Sequence, residues 1–266
     1  IANTSKEVTE AFIDYDGMVS LSYKLPTYRE RTLTTAFGAA GRDYLDQNTA
    51  DSLTGFVSFG YSEKRKLPFK FNYSAYATDV SGHAYNAGQQ GVFGVRVDLP
   101  KNANLQTSLR IGETRHFSYL GSSVGKQRDN DTLGISATYL RPIAGLSFPL
   151  LVSTSLLGDK SSAEIKHFSA QSVSAVVGLR TRLAKVNVSL SLDFLVTEYE
   201  AANTLISTQI RQDERTRLTA SLGYKLPPHL GAIDLALSGF AADTRSNIPN
   251  STRTLSELKL SLRRNF

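Results

Sequence analysis

Residues 186–196 read VNVSLSLDFLV and alternate between apolar and polar side chains with little interruption. Successive side chains of a β-strand point to opposite faces, so a period of two predicts a strand with one apolar and one polar face. Between residue 11 and the end of the chain, no long segment carries the i, i+3, i+4, i+7 stripe of an amphipathic helix. The alternation therefore predicts an all-β protein.

The same alternation recurs along the rest of the chain. With two weaker segments near residues 30–45 and 146–158, it predicts about 13 antiparallel strands. Most of these strands are longer than the usual strand of a soluble protein and long enough to cross a bilayer when tilted. The clearest repeats lie at residues 13–25, 53–61, 69–77, 91–99, 105–111, 133–139, 173–179, 218–224, 233–237 and 258–262.

The segments between the strands alternate in character. Every second connection is short and usually contains proline, which ends a strand because it cannot donate to the ladder: Pro26, Pro68, Pro100, Pro142 and Pro227. The other connections are longer and polar: residues 46–52, 79–90, 118–131, 159–168, 198–212 and 243–254. Short turns at one end and long loops at the other are typical of an up-and-down transmembrane β-barrel.

The composition excludes several other classes of protein. The chain has 266 residues, and its lack of Cys excludes a disulfide scaffold, a Cys-ligated zinc site and a thiol nucleophile. Its formal net charge is +6, but the basic residues are spread over the hairpins instead of forming a patch with stacking aromatics. We therefore expect no nucleic-acid partner. The sequence contains no run of about 18 apolar residues, so it predicts no transmembrane helix.

The polar parity predicts a water-filled lumen in which basic side chains outnumber acidic ones. Such a lumen attracts anions, although the same charges could instead form ion pairs that brace the wall. A soluble β-sandwich or lipocalin-like barrel, with its apolar face inward, is the alternative for the whole chain. The predicted lining residues are the basic Lys24, Arg42, Lys70, Arg96, Arg110, Arg180, Arg217, Lys225, Lys259 and Arg263, and the acidic Asp14, Asp16, Asp98, Asp193 and Asp234.

Tyrosines on the apolar parity lie close to the short turns, where an aromatic girdle would meet the membrane interface. They are Tyr23, Tyr61, Tyr139 and Tyr224. This position favours the membrane barrel over the soluble alternative, because an interfacial ring needs both an apolar body and a polar tip.

The end of the chain resembles the C-terminal assembly signal of bacterial outer-membrane β-barrel proteins. That resemblance rests on Leu258, Leu260, Leu262 and the terminal Phe266, which share one parity. Arg264 departs from the pattern, since an apolar residue is more usual there. The resemblance implies an integral protein of the Gram-negative outer membrane, in contact with lipid and lipopolysaccharide and inserted by the barrel assembly machinery.

The strand count predicts a further strand. Single-chain bacterial barrels usually have an even number of strands, so we expect 14 in the complete barrel unless an irregular strand has escaped the count. Residues 1–10 would then be an extracellular loop or N-terminal remnant, and residues 11–266 the barrel domain, the C-terminal part of a longer chain. A barrel with a periplasmic domain or subunit resembles those of tetratricopeptide-bearing exporters such as surface lipoprotein assembly modifiers.

These expectations predict transport or secretion through a pore, with a small anionic solute or an exported protein as cargo. The first alternative is a structural or adhesive barrel whose long loops bind a partner. The second is a lipid-modifying enzyme, for which only His116 and Ser118 share a face near a strand end. We expect no catalytic residues, cofactor or metal. The cations in or near the loops could pair with lipopolysaccharide phosphates: Lys126, Arg128, Lys160, Lys166, Arg211, Arg215, Arg245 and Arg253.

Overall fold

The fold is all-β, as the alternation predicts. A computed structural model describes residues 12–25, 30–44, 51–63, 67–117, 128–226 and 233–264. Within these ranges the chain forms thirteen strands and two single-turn 3-10 helices, Lys166–Phe168 and Pro249–Ser251. The strands are β1 (Phe12–Lys24), β2 (Arg31–Tyr44), β3 (Ser52–Glu63), β4 (Phe69–Val80), β5 (His83–Asp98), β6 (Asn104–His116), β7 (Asn130–Ile143), β8 (Leu150–Ala163), β9 (Ala170–Leu183), β10 (Val186–Tyr199), β11 (Gln212–Lys225), β12 (Ile233–Ser246) and β13 (Arg253–Arg264).

The strands follow one another in a single sheet in chain order, each hydrogen-bonded to the next. This up-and-down order confirms the predicted strand count and topology. Among the described residues the sheet is open, with β1 and β13 at the two ends of the order. No helix in the described part of the chain is both long and apolar enough to cross a membrane.

Several strands extend further into the polar connections than the sequence predicts. Residues 79–90 are not a long loop, because β4 and β5 meet in a tight turn at Ser81 and Gly82, whose φ angles are 52° and 80°. The Asp79 carboxylate accepts a hydrogen bond from the Gly82 amide at 2.7 Å and closes this turn. β8, β11 and β12 likewise continue for several residues into segments whose polarity resembles that of loops.

The chain divides into two compact units. The first contains residues up to Phe93 together with Ile111–Asp131, and the second contains Gly94–Arg110 and Thr132–Phe266. In the first unit, the register places Ser20, Ala36, Ser58 and Ser74 side by side. In the second, it places Ser189 beside Ser221, and Ser221 beside Ser238. In each unit we call the face that carries these residues the polar face, and the opposite one the apolar face.

Large hydrophobic side chains are exposed on the apolar face of both units. On β3, Leu53, Val57 and Phe59 are exposed, whereas the polar-face residues between them are half-buried. On β10, Leu190 is 42% exposed and Phe194 48%. Among the described residues, the buried apolar side chains are Ala36, Ala103, Ala242 and Ile248. Of these, Ala36 and Ala242 lie on the polar face, whereas the large residues of the apolar face are uncovered, the reverse of a soluble core.

Candidate functional site

The polar face is lined by hydroxyl groups that bond across neighbouring strands. In the second unit, the hydroxyls of Ser108 and Ser136 are 2.7 Å apart, and those of Ser189 and Ser221 are 2.6 Å apart. In the first, the Thr54 and Thr78 hydroxyls are 2.9 Å apart. Each of these hydroxyls can still accept a further bond, because a hydroxyl has one proton and two lone pairs.

Ion pairs engage many of the predicted lining charges. In the first unit, Arg42 donates to Asp14 through Nε at 2.7 Å and Nη2 at 3.1 Å, the two-pronged geometry that arginine favours with a carboxylate. In the second, Lys225 lies 4.0 Å from Asp234. The exposed Arg96 donates a hydrogen bond at 2.7 Å to Asp98, which is two residues further along the same strand. These contacts agree with the alternative that the sequence left open, in which the lining charges form ion pairs that brace the sheet instead of standing free.

Arg110 pairs with Asp159, a residue that the sequence places in a loop. β8 continues through Asp159, so this carboxylate lies on the polar face within reach of β6. Gly134 of β7 lies beside the pair: a Cβ at this position would meet the Asp159 carboxylate, and it would approach Arg110 Nε to 3.2 Å. The close approach explains why a residue without a side chain stands at this buried position.

We expect Gly134→Ala to lower the free energy of unfolding by about 1–3 kcal/mol, because the added methyl group must displace the Asp159 carboxylate from Arg110. Denaturant unfolding of the protein folded in lipid vesicles measures this change. Gly55→Ala is the matched control, since no atom lies within 4 Å of a Cβ there and the change should be within about 0.5 kcal/mol. Equal stability of the two variants would contradict the crowded geometry around Gly134.

Asp193 connects side chains of three strands on the polar face. Its Oδ1 accepts a hydrogen bond from the Ser174 hydroxyl at 2.9 Å, and its Oδ2 accepts one from Arg215 Nη2 at 3.0 Å. Arg217 lies directly opposite Asp193 in the register, but its guanidinium carbon stands 3.9 Å from the centre of the Phe240 ring. The sequence places Arg215 near a loop, whereas it lies within β11 and belongs to this cluster.

The other predicted lining residues lie on the polar face without forming one site. In the first unit, one row across the sheet runs from Lys24 through Thr32 and Ser62 to Lys70. Both lysines are exposed. Asp16 lies opposite Ala40 in that unit. In the second unit, the exposed Arg180 lies opposite Ser189, Lys259 opposite Ser238, and Arg263 opposite Asp234.

The tyrosines of the predicted girdle lie on the apolar face. Tyr23 is 56% exposed and Tyr139 37%. Within the first unit Tyr23 and Tyr61 share a row through Leu33, and the Tyr61 hydroxyl donates to Glu63 Oε2 at 2.9 Å. Within the second unit Tyr224 lies between Val186 and Leu235. Each unit therefore carries tyrosine on its apolar face near the short turns.

Leu258, Leu260 and Leu262 form a continuous exposed stripe on the apolar face of β13. Their exposed fractions are 75%, 68% and 70%, among the highest of the large hydrophobic residues in the described ranges. Phe266, the last residue of the predicted assembly signal, lies outside the described residues.

The loop ends of the strands carry further charge. Lys160 and Lys166 both approach the Glu200 carboxylate, at 3.7 and 3.3 Å. The Arg211 guanidinium lies 5.0 Å from the centre of the Tyr199 ring and donates to Asp213 at 2.9 Å, and this hydrogen bond raises the pKa of Arg211. Arg245 and Arg253 flank the connection between β12 and β13 and are exposed, whereas Lys126 lies outside the described residues.

The residues of the enzyme alternative are only partly described. His116 ends β6, where its amide donates to Asp129 Oδ1 at 2.6 Å and its ring packs edge-on against Tyr85. Ser118 lies outside the described residues. Within the described ranges, no group of three or more His, Asp or Glu side chains is arranged to hold a metal ion.

The two faces of the sheet, more than any single cluster, are what distinguish this protein. The apolar face exposes large hydrophobic residues, and the polar face holds hydroxyls and charges. The chain matches no protein-family model and no curated protein.

Proposed function

We propose that this chain is the wall of an outer-membrane β-barrel that forms a water-filled pore and passes small anionic solutes. The observation that carries the proposal is the exposed apolar face, which runs along the strands of each unit with no described residue covering it. Large contiguous apolar surface on a soluble protein would aggregate, whereas lipid covers such a surface without cost. A spanning sheet has to satisfy every backbone group, so we further infer that the sheet closes into a barrel.

The height of the apolar face supports the membrane location. On β10 it extends from Val186 to Val196 and ends at Glu198. At about 3.3 Å per residue such a stretch extends about 33 Å, and a tilt of about 40° reduces its height to about 25 Å, the thickness of the apolar band of outer-membrane barrels.

A polar row ends the apolar face toward the longer loops. In the second unit the register aligns Lys160, Gln171, Glu198 and Gln212 on four successive strands. Charged side chains belong at the interface and not at the bilayer midplane. We therefore place the loop ends of these strands, including Lys166 and Arg211, at the headgroups of lipid and lipopolysaccharide.

The polar face supports passage because its hydroxyls and ion pairs are compatible with water. Where cations have carboxylate partners, they contribute little net potential. The anion preference therefore depends on the unpaired lining cations, among which Lys24, Lys70 and Arg180 have no ion-pair partner in the described ranges. Because only a few lining cations are unpaired, we predict only a mild preference for anions over cations.

The test is the conductance of planar bilayers containing the purified full chain, measured under a tenfold gradient of potassium chloride. We expect stepwise channels whose reversal potential reports preference for chloride over potassium. A preference for cations would refute the anion selectivity, and membrane insertion without conductance would refute the pore. The Gly55→Ala variant serves as a matched preparation, because it changes neither charge nor the polar face.

A second candidate function rests on the loop between β10 and β11. Leu205 is 94% exposed and Ile206 61%, in a loop bounded by the Tyr199–Arg211 backbone hydrogen bond. Exposed aliphatic residues on a loop favour a partner-binding role. Insertion without conductance in the experiment above is the outcome that would favour this adhesive barrel over the pore.

A further inference from the structure

The position of Arg217 differs from that of the other lining cations in the second unit. It lies on the polar face of β11, opposite Ala242 of β12, whose small side chain lets the guanidinium reach diagonally to Phe240. The guanidinium carbon lies 3.9 Å from the ring centre, the distance of a stacked cation–π contact. This contact holds the planar group in place without using any of its N–H donors.

No acceptor neutralises this guanidinium in the described part of the chain. The nearest carboxylate in the register, Asp193, has one oxygen bonded to Ser174 and the other to Arg215. Glu257 lies opposite Phe240, on the strand beyond it. The Arg217 Nε is shielded from solvent and makes no hydrogen bond.

The local charge is positive. Arg215 and Arg217 are two residues apart on the same face of one strand, a separation of about 7 Å. Asp193 balances only one of these two cations, so the cluster has an excess positive charge next to the hydroxyl-lined surface of Ser191 and Thr219, which are opposite each other. A partly desolvated charge of this kind attracts an anion more strongly than an exposed one.

The matched comparison is Arg180, which also lies on the polar face of the second unit and has no described ion-pair partner. Arg180 is exposed and contacts no aromatic ring in the described ranges, so binding an anion there would cost the ordering of a long side chain. Arg217 is already ordered by Phe240. Arg110 is less suitable for another reason, because its charge is already paired with the Asp159 carboxylate.

We propose that Arg217, held over the Phe240 ring, is a binding site for a carboxylate or phosphate group on the polar face. Such groups accept two parallel N–H bonds from a guanidinium edge. The site deepens the proposed function and rests on it, because an anion reaches Arg217 only if the polar face is wet. It identifies a discrete anion subsite in place of a diffuse positive lumen.

Inorganic phosphate and acetate are the two probes, and titration calorimetry of the full chain folded in detergent micelles measures their binding. We expect Arg217→Gln to weaken phosphate binding by about tenfold or more, since a charged hydrogen-bonded contact is lost. Arg180→Gln removes the same charge from the same face and should change binding by less than about twofold. Equal losses in the two variants would mean that diffuse charge attracts the anion, and would overturn the site.

Two further variants test the geometry. Arg217→Lys keeps the charge but not the planar fork, and Phe240→Leu keeps an apolar side chain but removes the ring, so both should weaken phosphate binding. Full affinity in Arg217→Lys would refute recognition by the fork. Circular dichroism of each variant verifies that the sheet has formed, so that a loss of binding is not a loss of fold.

The binding and conductance experiments separate this site from the pore. Channels that conduct but show no phosphate binding in the folded wild-type chain would overturn the Arg217 site and leave the proposed function intact. Phosphate binding that depends on Arg217 in a protein without conductance would overturn the pore and support the site. Acetate binding that equals phosphate binding would assign the site to singly charged oxyanions in general, whereas tighter phosphate binding would favour phosphate esters.

Discussion

Leu190→Arg should destabilise the folded chain in lipid vesicles by about 2–4 kcal/mol, the cost of a cation near the midplane of an outer-membrane barrel. Leu190 is an exposed residue of the apolar face, close to the middle of the stretch between Val186 and Val196. An arginine there must enter hydrocarbon or distort the bilayer, because the interface is several residues away in either direction. Denaturant titration of the refolded protein in vesicles measures the change.

Ser191→Arg is the control for this experiment. It introduces the same side chain on the same strand at nearly the same height, but on the polar face, where Gly178 is the opposite residue and Asp193 lies two residues away. We expect its unfolding free energy to change by less than about 1 kcal/mol. If Leu190→Arg were tolerated as well as Ser191→Arg, the apolar face would not be in lipid and the membrane location would be wrong.

The two faces of the sheet could be predicted from the sequence because the side-chain period of a strand is two. In 186–196 that period is visible directly, and β10 confirms it. The number of strands is also predictable, since each strand carries its own apolar stripe. The expectation of an inward polar face lined by Arg110 and Arg217 follows from the same parity.

The partners of these cations could not be predicted, because alternation fades where both faces become polar. Asp159 lies near the end of β8 and Arg215 near the start of β11, where the sequence resembles a loop. The ladder nevertheless continues through both residues, and each pairs with a charge on the polar face.

Cross-strand register decides which charges meet, and register is not contained in a single strand. Asp193 lies opposite both Val176 and Arg217, but its hydrogen bonds go diagonally to Ser174 and Arg215. Arg217 is consequently left to the Phe240 ring. The parity list counts Asp193 and Arg217 together as lumen charges, whereas the contacts separate them, because Asp193 pairs with Arg215 and Arg217 lies over the Phe240 ring.

Asp193→Ala should lower the free energy of unfolding by about 1–3 kcal/mol, because it removes the acceptor of Ser174 and Arg215 and leaves two cations side by side. The figure is moderate because the side chains of Arg215 and Asp193 are 36% and 20% exposed, so water screens part of the loss. Denaturant unfolding in vesicles measures it. Asp98→Ala is the control, since that carboxylate is 65% exposed beside Arg96 and its loss should change stability by no more than about 0.5 kcal/mol.

A double-mutant cycle then separates the ion pair from general damage to the sheet. Removing Arg215 together with Asp193 leaves no uncompensated guanidinium at that position, so the double variant should be more stable than the sum of the two single losses predicts. The single variant Asp193→Ala should also shift the reversal potential of the channel further toward chloride, because Arg215 then becomes a free lining charge. Additive stability losses and an unchanged reversal potential would show that Asp193 does not restrain Arg215, and that the charge of this cluster does not face the path of the ions.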